Sequence, residues 1–328
     1  MNTLMIYGAS GYTGRMATEY AKAAGLNVIA AGRDEAKITQ LAAEQEGIST
    51  RVFSLDDEKV IDQALADVSV ILNCAGPYHR TAKALMHASL RTGCHYLDMA
   101  AELDSYQLAE QLDAKAKAAG VMLLPGSGGS VAMLGCLAGF AAEQIAQPRK
   151  VSIALHVTGS MSRGSAISAS ENLSHSVQCR RDGKLVDQNP RAMTDFDFGA
   201  GAVPCFPVTL PDLISIWHAT QIPDIETFVH LSGNAFPEGD LQALPDGPDA
   251  AERAANRYQA AVYITDQQGR VSRAVLDTVN GYTFTPLAAV EAARRALNDE
   301  LSPGFQTPAG LFGHQFATFI ADTRMTLC

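Results

Sequence analysis

Through its first 127 residues the chain repeats one rhythm. A short apolar run of strand length is followed by an amphipathic stretch with apolar residues at helical spacing, and then by a glycine. The apolar runs are TLMIYGA, NVIAAGR, STRVFS, VSVILNCAG, HYLDMA and VMLLPGS. Between them lie sets such as Val60, Ile61, Ala64 and Leu65, or Leu108, Leu112 and Ala116. Gly25, Gly47, Gly93 and Gly120 stand just ahead of the next run, where a helix ends most readily in the left-handed region. Asp34 and Asp56 precede two helical stretches and are placed to accept from the unpaired amides at their starts. Strands that alternate with helices pair in parallel, because each return needs a crossover. The pattern predicts an α/β fold with a Rossmann-type, doubly wound parallel sheet of six strands over residues 1–127. Ligands of such sheets lie beyond the carboxyl ends of the strands. That rule points to Gly8–Gly14, Gly32–Asp34, Cys74–His79, Asp98–Glu102 and Pro125–Ser130.

The rhythm changes after about residue 146. KVSIALHVTG alternates as a half-buried strand, and VQCRRDGKLVDQ carries Asp182-Gly183, a two-residue hairpin turn. AVYITDQQGRVSRAVL reads as a second hairpin, and a short helix is expected within Ala166–Ser174. These features predict a second, mixed α+β domain over residues 128–285. FPEGDLQALPDGPD reads as a surface loop. PLAAVEAARRALNDEL (Pro286–Leu301) is a helix with proline in its first turn. The tail GLFGHQFATFIADT is apolar enough to pack on another element, and the segment from about 286 to 328 is expected to return to the first domain.

Composition narrows the function. The chain has 328 residues, 47% hydrophobic and 18% charged, as in an ordinary globular protein. Its net charge of −10 argues against nucleic acid as a partner, which needs a basic face. The six cysteines are scattered and form no CxxC pair, so they read as reduced thiols in a cytoplasmic protein. No secretory leader is expected, and the longest apolar stretch, VAMLGCLAGFAA, is too short to span a bilayer. No metal site is expected, since no Cys/His cluster has ligand spacing.

The first strand ends in MIYGASGYTGRMA, with Gly8, Gly11 and Gly14 spaced by three. In this context the first glycine permits the turn out of the strand. The second lets the backbone approach a pyrophosphate, and the third lets the helix pack on the sheet. The helix-start amides and dipole then face the phosphates, with Ser10, Tyr12 and Thr13 between the glycines. The spacing is GxxGxxG rather than GxGxxG, so the loop is one residue longer than the usual dinucleotide fingerprint. An NAD site usually ends the second strand with a carboxylate. Here that strand ends in Gly32-Arg33, and a cation suits the 2′-phosphate of NADP(H), with Gly32 leaving room. The plainer alternatives are that Arg33 is a solvated surface residue, and that Asp34 is the helix cap.

Together GASGYTGR, the AGR strand end, NCAGPY (Asn73–Tyr78) and HYLDMAAE (His95–Glu102) resemble the saccharopine dehydrogenase-like NADP-binding oxidoreductases, a family that includes trans-acting enoyl reductases. The resemblance is strong to about residue 130. Beyond that it rests on SRGSAISASENL, RDGKLV and FQTPAGLFG. It implies a Rossmann domain, a second domain making substrate and dimer contacts, and a C-terminal segment returning to the first. Two departures stand out. Ala101 replaces the glycine of the family's His-Tyr-x-Asp-x-x-Gly-Glu. The run from Pro125 to Ser130 lacks the Asp of Pro-Gly-Cys-Gly-Phe-Asp. Both lie where substrate should sit, so the resemblance names no substrate.

The candidate chemistry follows. Ala75, Gly76 and Pro77 close the fourth strand, where small residues suit contact with the nicotinamide ribose. Tyr78 is a candidate proton donor, or else packs under the cofactor. Asp98 is a second candidate catalytic group, or else a structural acceptor for loop amides. Glu102 and Arg163 are candidate substrate contacts, Arg163 for a carboxylate. The expected function is hydride transfer between NADP(H) and a small carbonyl, imine or activated alkene, in a homodimer with no membrane partner. A non-catalytic NADP(H) sensor and a trans-acting enoyl reductase on a carrier-bound chain are the alternatives.

Overall fold

The apolar runs become strands and the amphipathic stretches become helices. The computed structural model describes residues 2–45, 47–171, 176–188, 192–233 and 239–328. In chain order the elements are β1 (Thr3–Tyr7), α1 (Tyr12–Ala23), β2 (Asn27–Gly32), α2 (Glu35–Glu44), β3 (Ser49–Val52), α3 (Glu58–Leu65), β4 (Val70–Asn73), α4 (Tyr78–Thr92), β5 (His95–Asp98), α5 (Leu103–Ala119) and β6 (Met122–Leu124). There follow α6 (Gly129–Ala142), β7 (Pro148–Thr158), α7 (Arg163–Glu171), β8 (Gln178–Arg181), β9 (Lys184–Asp187), β10 (Thr194–Asp197), β11 (Ala202–Pro207), α8 (Asp212–Thr220) and β12 (Asp224–Ser232). The last are α9 (Ala250–Ala255), β13 (Tyr258–Asp266), β14 (Val271–Thr278), α10 (Gly281–Leu297), β15 (Gly304–Phe305), α11 (Pro308–Phe312) and β16 (Arg324–Leu327). The chain divides into two units, Met1–Gly129 with Thr285–Gln306, and Ser130–Phe284 with Thr307–Cys328.

The first unit is a parallel sheet in the order β3-β2-β1-β4-β5-β6-β15. All five residues of β1 are buried, as expected of a strand covered by helices on both faces. Helices α4 and α5 end at Gly93 and Gly120, each in the left-handed region. Asp34 caps α2 through the Lys37 amide at 3.1 Å. The cap of α3 is Asp57 rather than Asp56, because the helix starts one residue later and Asp57 accepts from the Lys59 amide at 2.8 Å. A seventh strand, β15, joins the edge of the sheet where the sequence pattern shows six. Its two residues are too few to show a period; Phe305 is buried and its amide donates to Asp113 at 2.9 Å.

The second unit is a mixed sheet in the order β10-β11-β12-β7-β13-β14-β16, with β8 and β9 beside β12. Among the described strands of this unit only β12 and β7 run parallel, in register from Asp224↔Lys150 to Ser232↔Thr158. The β8–β9 hairpin turns on Asp182 and Gly183, both at positive φ, and β13–β14 forms the second hairpin. Helix α6 is the apolar segment, buried along most of its length. No helix among the described residues is long and apolar enough to cross a membrane. Helix α7 starts at Arg163, ahead of the expected Ala166, and residues 172–174 of that expectation lie outside the described residues. Residues 236–238 of the expected loop do so as well; the rest holds a single 3-10 turn, Leu241–Ala243.

Helix α10 begins at Gly281, before Pro286, because Asn280 accepts from the Tyr282 amide at 3.0 Å and starts the helix there. The segment that rejoins the first unit is Thr285–Gln306. Thr307–Cys328 belongs to the second unit, where β16 pairs antiparallel with β14.

One buried acid in the second unit lacks partners. Asp212 opens α8, is fully buried, and has no hydrogen-bond partner for either carboxyl oxygen among the described residues. Burial pushes its pKa up to about 7. The folded chain therefore holds this proton more tightly than the unfolded chain. The associated stability is present below about pH 4 and lost as pH rises through about 7. Asp212→Asn is expected to melt closer to the parent at acid pH and above it at alkaline pH. Thermal melts of both proteins at about pH 5 and about pH 8 check this; a difference that does not change with pH contradicts it.

Candidate functional site

The strand order of the first unit reverses between β1 and β4, and the carboxyl ends at such a reversal are where a sheet of this kind receives ligands. Gly8 leaves β1 at φ +82°, a conformation few side chains adopt. The Gly8 and Ala9 amides both donate to the Ala31 carbonyl, at 2.8 and 3.1 Å, and the Gly11 amide returns to the Gly8 carbonyl at 3.0 Å. A Cβ on Gly8 would stand 2.8 to 2.9 Å from Ala75, so the turn lies directly against the end of β4. A Cβ on Gly14 would stand 2.2 Å from the Gly8 carbonyl oxygen, so the third glycine lets α1 seat on the turn. Gly11 differs: its backbone is extended, and the Gly8 oxygen at 3.3 Å is all a Cβ would meet within 4 Å. The bare atom there faces space.

Helix α1 starts at Tyr12 with Gly11 as its cap, and a glycine brings no side-chain cap to the helix start. Asp34 and Asp57 cap α2 and α3. A helix start whose amides and dipole are left to an anion is a ready phosphate site. Ser10, Tyr12 and Thr13 are half-buried around it. Arg15, which the sequence reading did not single out, braces the turn: its Nε donates to the Ser10 carbonyl at 3.2 Å and its guanidinium pairs with Glu44.

At the end of β2, Arg33 is exposed, and its charge reaches the Tyr7 hydroxyl. Burial raises the Tyr7 pKa, Arg33 opposes that rise and Asp56 adds to it. Gly32 is buried, and a Cβ there would meet Ile38 of α2 at 3.2 Å. Its small size thus serves helix packing, where the sequence suggested room for a ligand.

One hydrogen-bonded network ties the ends of β4, β5 and β6. Asn73 is fully buried; its Oδ1 accepts from the Ala75 amide at 3.0 Å. Its Nδ2 donates to Thr81 Oγ1 at 3.0 Å and to the Tyr96 hydroxyl at 3.2 Å. Tyr96 donates to Asp98 Oδ2 at 2.8 Å, and Asp98 Oδ1 accepts from the Ala100 and Gly126 amides at 2.9 and 2.7 Å. Ser127 bonds back to the Asp98 carbonyl at 2.7 Å. Asp98 is fully buried, with both carboxyl oxygens occupied. Burial pushes its pKa up to about 6, while the Ala100 and Gly126 amides and the Tyr96 hydroxyl pull the other way.

Tyr78 opens α4 and is half-buried. Burial, then the neighbouring Cys74, Asp98 and Glu102, raise its pKa well above the usual phenol, so at neutral pH it is a protonated donor. Glu102 is nearly buried; its oxygens accept from the Tyr78 amide at 3.5 Å and the Ala101 amide at 3.0 Å. The first unit thus brings together Gly8–Gly14 and Ala75–Pro77 at the carboxyl ends of β1 and β4, with Tyr78, Asp98 and Glu102 around the end of β4. Arg163 lies in the second unit, on α7, where it pairs with Asp246 and donates to the Leu244 carbonyl at 3.2 Å.

Residues 4–124 match the family described as the saccharopine dehydrogenase NADP binding domain. Among curated proteins, the "Lipid droplet localized protein" of Caenorhabditis elegans is 26% identical over 138 residues. A "Saccharopine dehydrogenase-like oxidoreductase" of Rattus norvegicus is 26% identical over 144 residues. Each match covers 38% of this chain and only about a third of the relative, 32% and 34%. Among solved structures, an apo saccharopine dehydrogenase (L-Glu forming) from Saccharomyces cerevisiae shares the fold over 100% of both chains, with a TM-score of 0.65 at 12% identity.

Proposed function

We propose that this chain is an NADP(H)-dependent oxidoreductase of the saccharopine dehydrogenase-like kind, acting on a small carbonyl, imine or activated alkene. The observation that carries the reading is the turn at Gly8–Gly14 with its three glycines, seated where the strand order reverses and followed by a helix capped by a glycine rather than a side chain. The residues fit a dinucleotide: a Cβ on Gly11 would fill the space a diphosphate needs, and the first amides of α1 would hold its oxygens. When bound, a nicotinamide nucleotide supplies the hydride. Arg33 would hold the 2′-phosphate, and Ala75, Gly76 and Pro77 would line the site opposite the turn. Tyr78, kept as a neutral phenol, is the proposed proton donor to the reduced substrate. Asp98 acts through the loops it holds and is a positioning residue. Glu102 holds the start of α4 and so positions Tyr78.

The test is a fluorescence titration of NADPH and NADH into the parent and Arg33→Ala. A charge-assisted hydrogen bond contributes about 1.5–3 kcal/mol, so NADPH affinity should fall roughly tenfold to a hundredfold, with NADH little changed. Equal losses for both nucleotides remove Arg33 from the site. A companion screen follows NADPH absorbance with carbonyls, imines and enoyl thioesters. Tight NADPH binding with uniformly slow oxidation across the screen would favour a cofactor sensor.

A further inference from the structure

In the second unit, a file of hydrogen bonds crosses four strands and ends on a serine. Asp277 on β14 accepts from Arg257 Nε at 2.7 Å. It also accepts from Gln259 Nε2 on β13 at 3.3 Å. That turns the Gln259 carbonyl oxygen toward His156 on β7, 3.4 Å from Nδ1. A carbonyl oxygen only accepts, so Nδ1 carries the imidazole proton and Nε2 keeps its lone pair. Nε2 lies 2.8 Å from Ser232 Oγ on β12, so the serine hydroxyl donates to it. The strand register supports the file, pairing Gln259 with both Asp277 and His156.

The imidazole is held on its flanks. The His230 ring meets it edge-on at 4.8 Å, and the Phe198 ring lies 5.3 Å away. His230 is itself fixed by the Pro204 carbonyl at 3.0 Å. Burial lowers the His156 pKa and His230 adds to this, while the Gln259 bond opposes it, which favours the neutral base. Ser232 ends β12 beside Thr158, the end of β7, in the parallel pair of this sheet. Both strands run on into glycines at positive φ, Gly159 and Gly233. Ser232 and His156 are only half-buried.

We propose that Ser232 is an acyl-accepting nucleophile, with His156 as its general base and Gln259 orienting the imidazole, at a site for a small activated ester or thioester. Ser232 Oγ bonds to the acyl carbon and its proton passes to His156 Nε2. The carbon–oxygen or carbon–sulfur bond of the substrate breaks, and the leaving alcohol or thiol takes that proton. Water then attacks the acyl-serine, giving its proton to Nε2. The bond to Oγ breaks, Oγ is reprotonated, and a carboxylic acid departs. No electrons are exchanged, so the site works independently of the nucleotide reading.

The full-length chain is treated with a fluorophosphonate and, separately, with p-nitrophenyl acetate, and modified peptides are mapped by mass. Phosphonylation is expected at Ser232 and is expected to be absent in Ser232→Ala. It should slow by at least about a hundredfold in His156→Gln, the scale on which a general base acts. No label at Ser232, or a rate that His156→Gln leaves unchanged, overturns the proposal. Ser232→Cys gives a second readout. Beside His156 its thiol should react with iodoacetamide with a midpoint below the ordinary value of about 8.5, and the added His156→Gln change should restore that value. An ordinary midpoint in Ser232→Cys also overturns it. A circular-dichroism spectrum and thermal melt equal to the parent's show that each variant is folded.

Discussion

Gly14→Ala is expected to abolish NADPH binding and to destabilise the first unit. The new methyl would stand 2.2 Å from the Gly8 carbonyl oxygen, 2.9 Å from its carbon and 3.0 Å from Ala9 Cα. All three are main-chain atoms, so no rotamer change relieves the clash. Either α1 lifts from the turn, or Gly8 moves and its carbonyl loses the Gly11 amide. Overpacking of this kind costs about 1–3 kcal/mol, and the start of α1 is displaced from the site. Gly11→Ala is the contrast. Its backbone is extended and its methyl meets one atom, at 3.3 Å, so it should melt near the parent while binding NADPH far more weakly. Thermal melts with and without NADPH separate the two. A parent-like NADPH shift in Gly14→Ala contradicts the account.

The second large effect is expected of Asp98→Ala. It strands the Ala100 and Gly126 amides and the Tyr96 hydroxyl, all paired to the carboxylate in a buried setting. Each orphaned group costs about 1–3 kcal/mol, so the loss is several kcal/mol. The loops after β5 and β6 should loosen, and through Tyr96 and Asn73 so should Ala75. Asp98→Asn keeps an acceptor for the two amides and isolates the charge. With the folded pKa raised to about 6, the stability tied to the proton is present below the ordinary carboxylate value and lost as pH rises through about 6. The advantage of the parent over Asp98→Asn should therefore shrink between about pH 4 and about pH 6.5 in urea unfolding. An advantage that grows over that window would mean the carboxyl sits below its ordinary value.

The parallel sheet was legible because strands covered on both faces must be apolar throughout, as in Leu4–Tyr7 or Val70–Leu72. The glycine turn was legible because three positions in one short loop each needed the absence of a Cβ, Gly8 and Gly14 against main chain and Gly11 toward space. What was hidden depends on partners distant in sequence. Asn73 looks like any strand-end residue until Tyr96, 23 positions away, supplies its partner. Asp98 reads the same in sequence whether it meets a ligand or loop amides, and here it meets Gly126, 28 positions on. Arg163 sits in a Gly/Ser-rich stretch that suggests a free cation, and its partner Asp246 is 83 positions away. The file ending at Ser232 joins residues on four strands, which no local spacing announces.

The central claim is that the amides at the start of α1 hold the diphosphate of a nicotinamide nucleotide. Amide hydrogen exchange of the parent at saturating NADPH tests it most directly. The account predicts strong slowing across Ser10–Gly14, with slowing at Ala75 and Gly76 on the far side of the site. NADPH that binds and leaves exchange at Ser10–Gly14 unchanged, while protecting another part of the chain, would contradict it.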